Sequence, residues 1–143
     1  MERILIEYID KFFDETVKLR RHLHKYPELA YEEVNTTQYL TDLFPKSWKI
    51  SRIDGMTGFV ADLVLHEQLP TLIFRSELDA LPIKENVDVD YASVNEGVMH
   101  ACGHDVHMTV ALGLLRKLVE NPIKDHVVIL FQPAEESPGG ALP

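Results

Sequence analysis

The hydrophobic positions at the start of the chain recur at the spacing of an amphipathic helix. Apolar residues fall three or four positions apart, and this period predicts a helix over residues 4 to about 24. Pro27 lies just beyond this series and ends it. A second apolar series predicts a helix over about residues 31–43, which Pro45 closes.

Shorter apolar segments further along the chain have the lengths of strands. Residues 49–53, 58–65 and 71–78 predict three strands, and the third starts apolar on both faces, as a covered central strand does. A polar loop leads to a predicted helix over about residues 106–119 and a strand over His126–Gln132. This order predicts an α/β fold with helices packed on a mixed sheet, whose sites usually lie in loops that follow strands.

Composition and charge narrow the classes of function. The 143 residues suit one domain, and a net charge of -9 argues against nucleic acid, which needs a basic face to neutralise phosphates. We find no apolar run of membrane-spanning length and no secretory signal, so we expect no membrane partner. A single cysteine excludes an internal disulfide and favours the reducing cytoplasm.

Cys102 and His104, two positions apart, form the first candidate metal site. In extended backbone both side chains project to the same side, and the glycine between them permits an ion to approach. A thiolate and an imidazole suit zinc or a neighbouring borderline metal, and His100 and His107 lie in the same stretch. The next residue, Asp105, has an alternative role as the N-cap of the following helix.

Two acidic groups come at the ends of apolar strands. Glu135 and Glu136 either form a solvated turn, or one binds a metal while the other faces an attacking water. Neighbouring side chains in extended backbone point apart, which permits that division. Glu77 and Asp79 alternate onto one face and could point at one site, or Glu77 could simply pair with Arg75 at a strand exit.

Three segments in order resemble the di-metal N-acyl-amino-acid amidohydrolases, a branch of the aminoacylase and carboxypeptidase-like metallohydrolases. They are Arg-Ser-Glu-Leu-Asp-Ala-Leu-Pro at 75–82, His-Ala-Cys-Gly-His-Asp at 100–105 and Phe-Gln-Pro-Ala-Glu-Glu at 131–136. The Arg-Arg-His-Leu-His segment at 20–24 also matches the family's opening helix. Glu77 departs from the pattern, because the family usually has aspartate there.

The resemblance implies a role for each matching residue. Cys102, His104 and Glu136 would be metal ligands, Glu135 the general base, and Asp79 the acidic residue that supports the metal site. The complete enzyme would hold two divalent ions (zinc, manganese, cobalt or nickel), take a small N-acyl amino acid as substrate and form a homodimer. Residues 1–143 would be an incomplete N-terminal part of a metallopeptidase-like catalytic domain, without the later lid domain and two further histidine ligands.

Finer features resemble one member of the family, a deacetylase of bacterial lysine synthesis. They are the segments 91–94, 96–97, 121–125 and 137–140. Three alternatives stay open: a general, hippurate-type amidohydrolase; an inactive truncated remnant that acts at most as a metal-binding module; and a cysteine hydrolase. In the last, Cys102 would be the nucleophile and His104 the base, which leaves Glu135 and Glu136 without a role.

Overall fold

The computed structural model describes residues 2–63 and 70–138, with side chains described from residue 10. Its elements are α1 (Glu2–Lys25), α2 (Val34–Asp42), β1 (Lys49–Arg52), β2 (Phe59–Leu63), β3 (Thr71–Glu77), α3 (His104–Glu120) and β4 (His126–Gln132). The predicted α/β fold is therefore confirmed. The predicted end of the second strand, at residues 64–65, and the glycines at 139–140 lie outside the described residues. Among the described helices, none combines the length and apolar character that a bilayer crossing needs.

The four strands form one mixed sheet in the order β1-β2-β4-β3. The prediction that the third strand is covered and central is wrong, since β3 lies at an edge of the described sheet and exposes Leu72 and Ile73. β2 is antiparallel to both β1 and β4, whereas β3 runs parallel to β4. The parallel register pairs Glu77 with Gln132, the last residues of β3 and β4. Because these two strands end at the same edge, the segments that follow them leave the sheet side by side.

The core forms between the sheet and α3. Phe59 on β2 and Phe131 on β4 are register partners, and their rings stack with centroids 4.5 Å apart. α3 buries Met108, Leu112 and Leu115. Each such side chain contributes roughly 1.5–3 kcal/mol through the apolar surface it removes from water. This packing fixes the start of α3 beside the ends of β3 and β4.

All three helix starts differ from the prediction, and α1 begins at Glu2, two residues earlier than predicted. α2 begins at Val34, three residues later than predicted, because Tyr31 has φ 66° and a left-handed residue interrupts a right-handed helix. α3 begins at His104, two residues earlier than predicted, directly after Gly103 at φ 83°. The N-cap role considered for Asp105 is wrong, since Gly103 occupies that position and Asp105 lies within the first turn.

Gly58 permits the start of β2 to pass close to Pro133. A Cβ at position 58 would lie 2.5 Å from Pro133 Cδ and 2.8 Å from the Phe131 carbonyl oxygen. We expect Gly58→Ala to lower the free energy of unfolding by about 1–3 kcal/mol, measured by urea denaturation. Gly113→Ala is the matched control: a Cβ there meets nothing within 4 Å, and alanine favours the helix by about 0.5–1 kcal/mol. Equal stabilities for the two variants would contradict the packing described here.

Candidate active site

The candidate site lies where β3 and β4 end side by side. Asp79 follows β3 by two residues, and Glu135 and Glu136 follow β4 by three and four. The backbone N–H of Glu136 donates to Asp79 Oδ2 at 2.9 Å, which ties the two segments together. His104, the first residue of α3, completes the group. The sheet topology thus assembles side chains that are far apart in the sequence.

Asp79 holds the His104 ring in one orientation. His104 Nδ1 donates to the Asp79 carbonyl oxygen at 2.8 Å and lies 3.3 Å from Asp79 Oδ1. Because Nδ1 carries the hydrogen, Nε2 presents its lone pair on the other side of the ring. There it lies 3.8 Å from Glu135 Oε2 and 3.9 Å from Glu136 Oε1. An imidazole oriented in this way is typical of metal-binding histidines.

Asp79 and His104 each shift the pKa of the other toward its charged form. Burial alone would raise the pKa of Asp79, but hydrogen bonds from His104 and from the backbone N–H groups of Glu136 and Glu135 lower it. Burial would lower the pKa of His104, and the carbonyl and carboxylate of Asp79 outweigh this and raise it. Asp79 therefore stays an ionised carboxylate that can hold the imidazole in place.

His104, Glu135 and Glu136 form a donor set that fits a divalent cation. One ligand atom from each lies within 4.8 Å of the other two. His104 is buried, whereas the side chains of Glu135 and Glu136 are 36% and 29% exposed. One imidazole nitrogen and two carboxylates suit zinc and similar ions. The two carboxylates are therefore partly open to solvent.

Cys102 lies near Glu136. Interaction with the Glu136 carboxylate, followed by burial and the charges of the neighbouring carboxylates, raises the pKa of Cys102 to about 11. The extended backbone assumed for residues 102–104 is wrong, because Gly103 is left-handed and His104 already begins α3. Within residues 2–63 and 70–138, no set of ligand atoms that all lie within 4.8 Å of one another includes Cys102. The structure brings His104 and Glu136 together, and a cation shared by Cys102 stays a prediction.

The arrangement disfavours the cysteine hydrolase. A nucleophilic cysteine needs a lowered pKa, whereas the pKa of Cys102 is raised. The proposed base also faces other groups, since the His104 ring contacts Asp79, Glu135 and Glu136.

Glu77 belongs to an ion-pair network beside the donor set. Its carboxylate pairs with Arg75 Nη1 at 2.5 Å and with His107 Nδ1 at 2.7 Å. Burial would raise the pKa of Glu77, but the hydrogen bond from His107 and the charge of Arg75 lower it. Arg75 Nη2 also lies 3.6 Å from Glu135 Oε1. The predicted pairing of Glu77 with Arg75 is therefore present, and the reach of Arg75 to Glu135 was missed.

A second buried cluster anchors the start of α3 to α1. Asp105 is fully buried, and its Oδ2 lies 2.8 Å from both Arg20 Nε and His24 Nδ1. The other ring nitrogen of His24 lies 3.0 Å from Glu85 Oε1. Because His104 directly precedes Asp105, this cluster also restrains the backbone of His104. Apart from the charged residues themselves, no sequence pattern predicts this cluster.

Comparison with known proteins agrees with the motif resemblance. Residues 73–143 match the Peptidase family M20/M25/M40 model. An N-acetyldiaminopimelate deacetylase from Anoxybacillus flavithermus (strain DSM 21510 / WK1) is 46% identical over 130 residues, which are 89% of this chain and 34% of the relative. One from Priestia megaterium (strain ATCC 12872 / QMB1551) is 42% identical over 139 residues, 91% of this chain and 35% of the relative. The chain thus spans about a third of the length of these curated relatives.

Similar solved structures agree with the resemblance to this family. A provisionally named aminohydrolase from methicillin-resistant Staphylococcus aureus superposes with a TM-score of 0.88 at 36% identity, over 98% of this chain and 38% of that protein. The Bacillus subtilis YXEP protein, a dinuclear metal binding peptidase from the M20 family, superposes with a TM-score of 0.79 at 33% identity, over 89% of this chain and 37% of that protein. The resemblance predicted from the three motifs is confirmed.

Proposed function

Because residues 73–143 match the model of Peptidase family M20/M25/M40, we propose that this chain supplies the metal-binding part of an N-acetyldiaminopimelate deacetylase. This amidohydrolase would cleave the acetyl group from N-acetyldiaminopimelate and release acetate and diaminopimelate. The proposal rests on one observation: His104 at the start of α3 lies beside Glu135 and Glu136, where the parallel strands β3 and β4 end. The relatives named as deacetylases, at 42% and 46% identity, support the substrate.

The proposed metal ligands are Cys102, His104 and Glu136, and the complete enzyme would hold two divalent ions of zinc, manganese, cobalt or nickel. A divalent cation held there would act as a Lewis acid, which would polarise the amide carbonyl and make water easier to deprotonate. The dinuclear metal binding of the Bacillus subtilis relative supports two ions. This chain carries three of the proposed ligands, so we expect it to hold at most one ion, weakly.

Glu135 is the proposed general base. Its carboxylate is partly exposed beside His104, so an oxygen can face both solvent and a bound substrate. The carboxylate takes a proton from the water that attacks the acetyl carbonyl, and the amide C–N bond then breaks. Glu135 returns the proton to the departing amine nitrogen. Arg75, close to the other oxygen of Glu135, restrains the carboxylate during this transfer.

Residues 1–143 are, in this proposal, an incomplete N-terminal part of the catalytic domain. Homodimerisation and a cytoplasmic location remain predictions that rest on the family resemblance and the single cysteine. The isolated chain is expected to be inactive.

Assay of the full-length protein tests the proposal. We expect turnover of N-acetyldiaminopimelate, a much slower reaction with N-benzoylglycine, loss of activity with a chelator, and recovery when metal is restored. Faster turnover of N-benzoylglycine would instead identify a general amidohydrolase. Activity that resists the chelator but is lost on thiol alkylation would identify a cysteine hydrolase.

A further inference from the structure

Glu33 is a fully buried carboxylate that has no role in the chemistry described above. It occupies the N-cap position of α2, yet its side chain makes no capping hydrogen bond. Glu28 accepts the amide hydrogens of α2 instead, from Asn35 at 3.2 Å and Thr36 at 2.8 Å. The Glu33 carboxylate is therefore free to act elsewhere, and a buried carboxylate needs hydrogen-bond donors to offset its lost hydration.

The donors come from the segments that surround the candidate site. The backbone N–H of Ala134 donates to Glu33 Oε1 at 2.8 Å, across 101 positions of sequence. The hydroxyl of Thr57 donates to Glu33 Oε2, and the hydroxyl of Thr37 donates to the Thr57 carbonyl oxygen at 2.6 Å. The turn after β4 is thereby connected to α2 and to the start of β2.

Ala134 has a backbone conformation that needs such support. Its φ is 51°, in the left-handed region that residues with a Cβ rarely adopt. Glu135 and Glu136 follow directly, so the φ of Ala134 sets the direction in which both leave the strand. On the other side of Glu135, the N–H of Glu136 donates to Asp79. Two buried carboxylates, Glu33 and Asp79, thus hold the backbone on either side of Glu135.

We propose that Glu33 is a positioning residue: its hydrogen bond to Ala134 keeps the turn left-handed and so directs Glu135 and Glu136 toward His104. The effect of Glu33 on catalysis rests on the proposed function. The hydrogen bond between Glu33 and Ala134 is present in this chain whatever its function. Glu33 touches neither substrate nor metal in this role.

The first experiment measures amide hydrogen exchange of Ala134 by NMR in this chain. In the Glu33→Gln variant the side-chain NH₂ group either faces the Ala134 N–H or turns to the Thr57 hydroxyl and leaves Ala134 a neutral, weaker acceptor, so we expect Ala134 to exchange about tenfold faster or more. Glu28→Gln is the matched control, because it also removes a carboxylate beside α2 but leaves the Ala134 bond intact. Unchanged Ala134 exchange in Glu33→Gln would overturn the proposal.

A second measurement separates positioning from a general loss of stability. Calorimetric titration with Zn²⁺ should show roughly 10–100-fold weaker binding for Glu33→Gln than for Glu28→Gln. In the full-length protein, Glu33→Gln should lower kcat by a similar factor with little change in KM. Equal Zn²⁺ affinities for the two variants would contradict the proposal.

Two further variants keep the test decisive if Glu33→Gln folds poorly. Thr57→Val removes one donor to Glu33, and we expect a smaller increase in Ala134 exchange; no increase would contradict the network. Ala134→Gly adopts the left-handed conformation without a Cβ, so it should recover part of the Zn²⁺ affinity lost in Glu33→Gln. No recovery would count against the proposal.

A full-length protein without deacetylase activity would overturn the proposed function alone, since Ala134 exchange decides the role of Glu33.

Discussion

Glu135→Gln in the full-length protein is expected to lower kcat by roughly 10²–10⁴-fold while metal content stays unchanged. The amide has nearly the shape of the carboxylate but cannot take a proton from water and return it to the amine. Glu136 and His104 remain in place, because neither depends on the charge of Glu135 for its contacts with Asp79. Steady-state kinetics and elemental analysis of the purified variant measure the two quantities.

Glu136→Gln is the control for this result. A change at a proposed ligand should reduce both metal content and kcat, whereas Glu135→Gln should reduce kcat alone. Retained turnover in Glu135→Gln would remove that residue from the role of base. Loss of metal in Glu135→Gln would make it a ligand instead.

Asp105→Asn is expected to lower the free energy of unfolding of this chain by about 1.5–3 kcal/mol, the usual worth of a hydrogen bond to a charged group, because Arg20 stays partly exposed to water. Asp105 is fully buried between Arg20 and His24, with both contacts at 2.8 Å. Asparagine keeps the size of the side chain but leaves the guanidinium without its counter-charge. Urea denaturation followed by circular dichroism measures the change.

Glu15→Gln provides the comparison for an exposed pair. Glu15 pairs with Arg116, and the two side chains are 60% and 40% exposed. Water screens such a pair, so we expect a change of about 1 kcal/mol or less. A similar loss of stability in Asp105→Asn and Glu15→Gln would show that the buried cluster does not anchor α3 to α1.

The regular elements could be predicted because their signal is local. The alternation along β4 buries Val127, Ile129 and Phe131 on one face, and the apolar run there already indicated a strand. The start of α2 could not be placed, because the left-handed φ of Tyr31 has no sequence signature. The parallel pairing of β3 with β4, which creates the site, also depends on contacts distant in the sequence.

In the candidate site, too, the local motifs could be predicted and the distant contacts could not. Asp79, His104, Glu135 and Glu136 were predicted from motifs, and the structure brings them together. The partners that hold them were not predicted, because a local pattern carries no information on contacts such as that of His24 with Asp105, 81 positions away.

In the proposed site Cys102, His104 and Glu136 share one cation. Anomalous diffraction at the zinc edge, from crystals of this chain grown with Zn²⁺, can locate that cation and its ligands. We predict a peak about 2.0–2.3 Å from His104 Nε2, a Glu136 carboxylate oxygen and Cys102 Sγ. A zinc ion held by Glu77 and His107 instead, or one that leaves Cys102 outside its ligands, would contradict the claim.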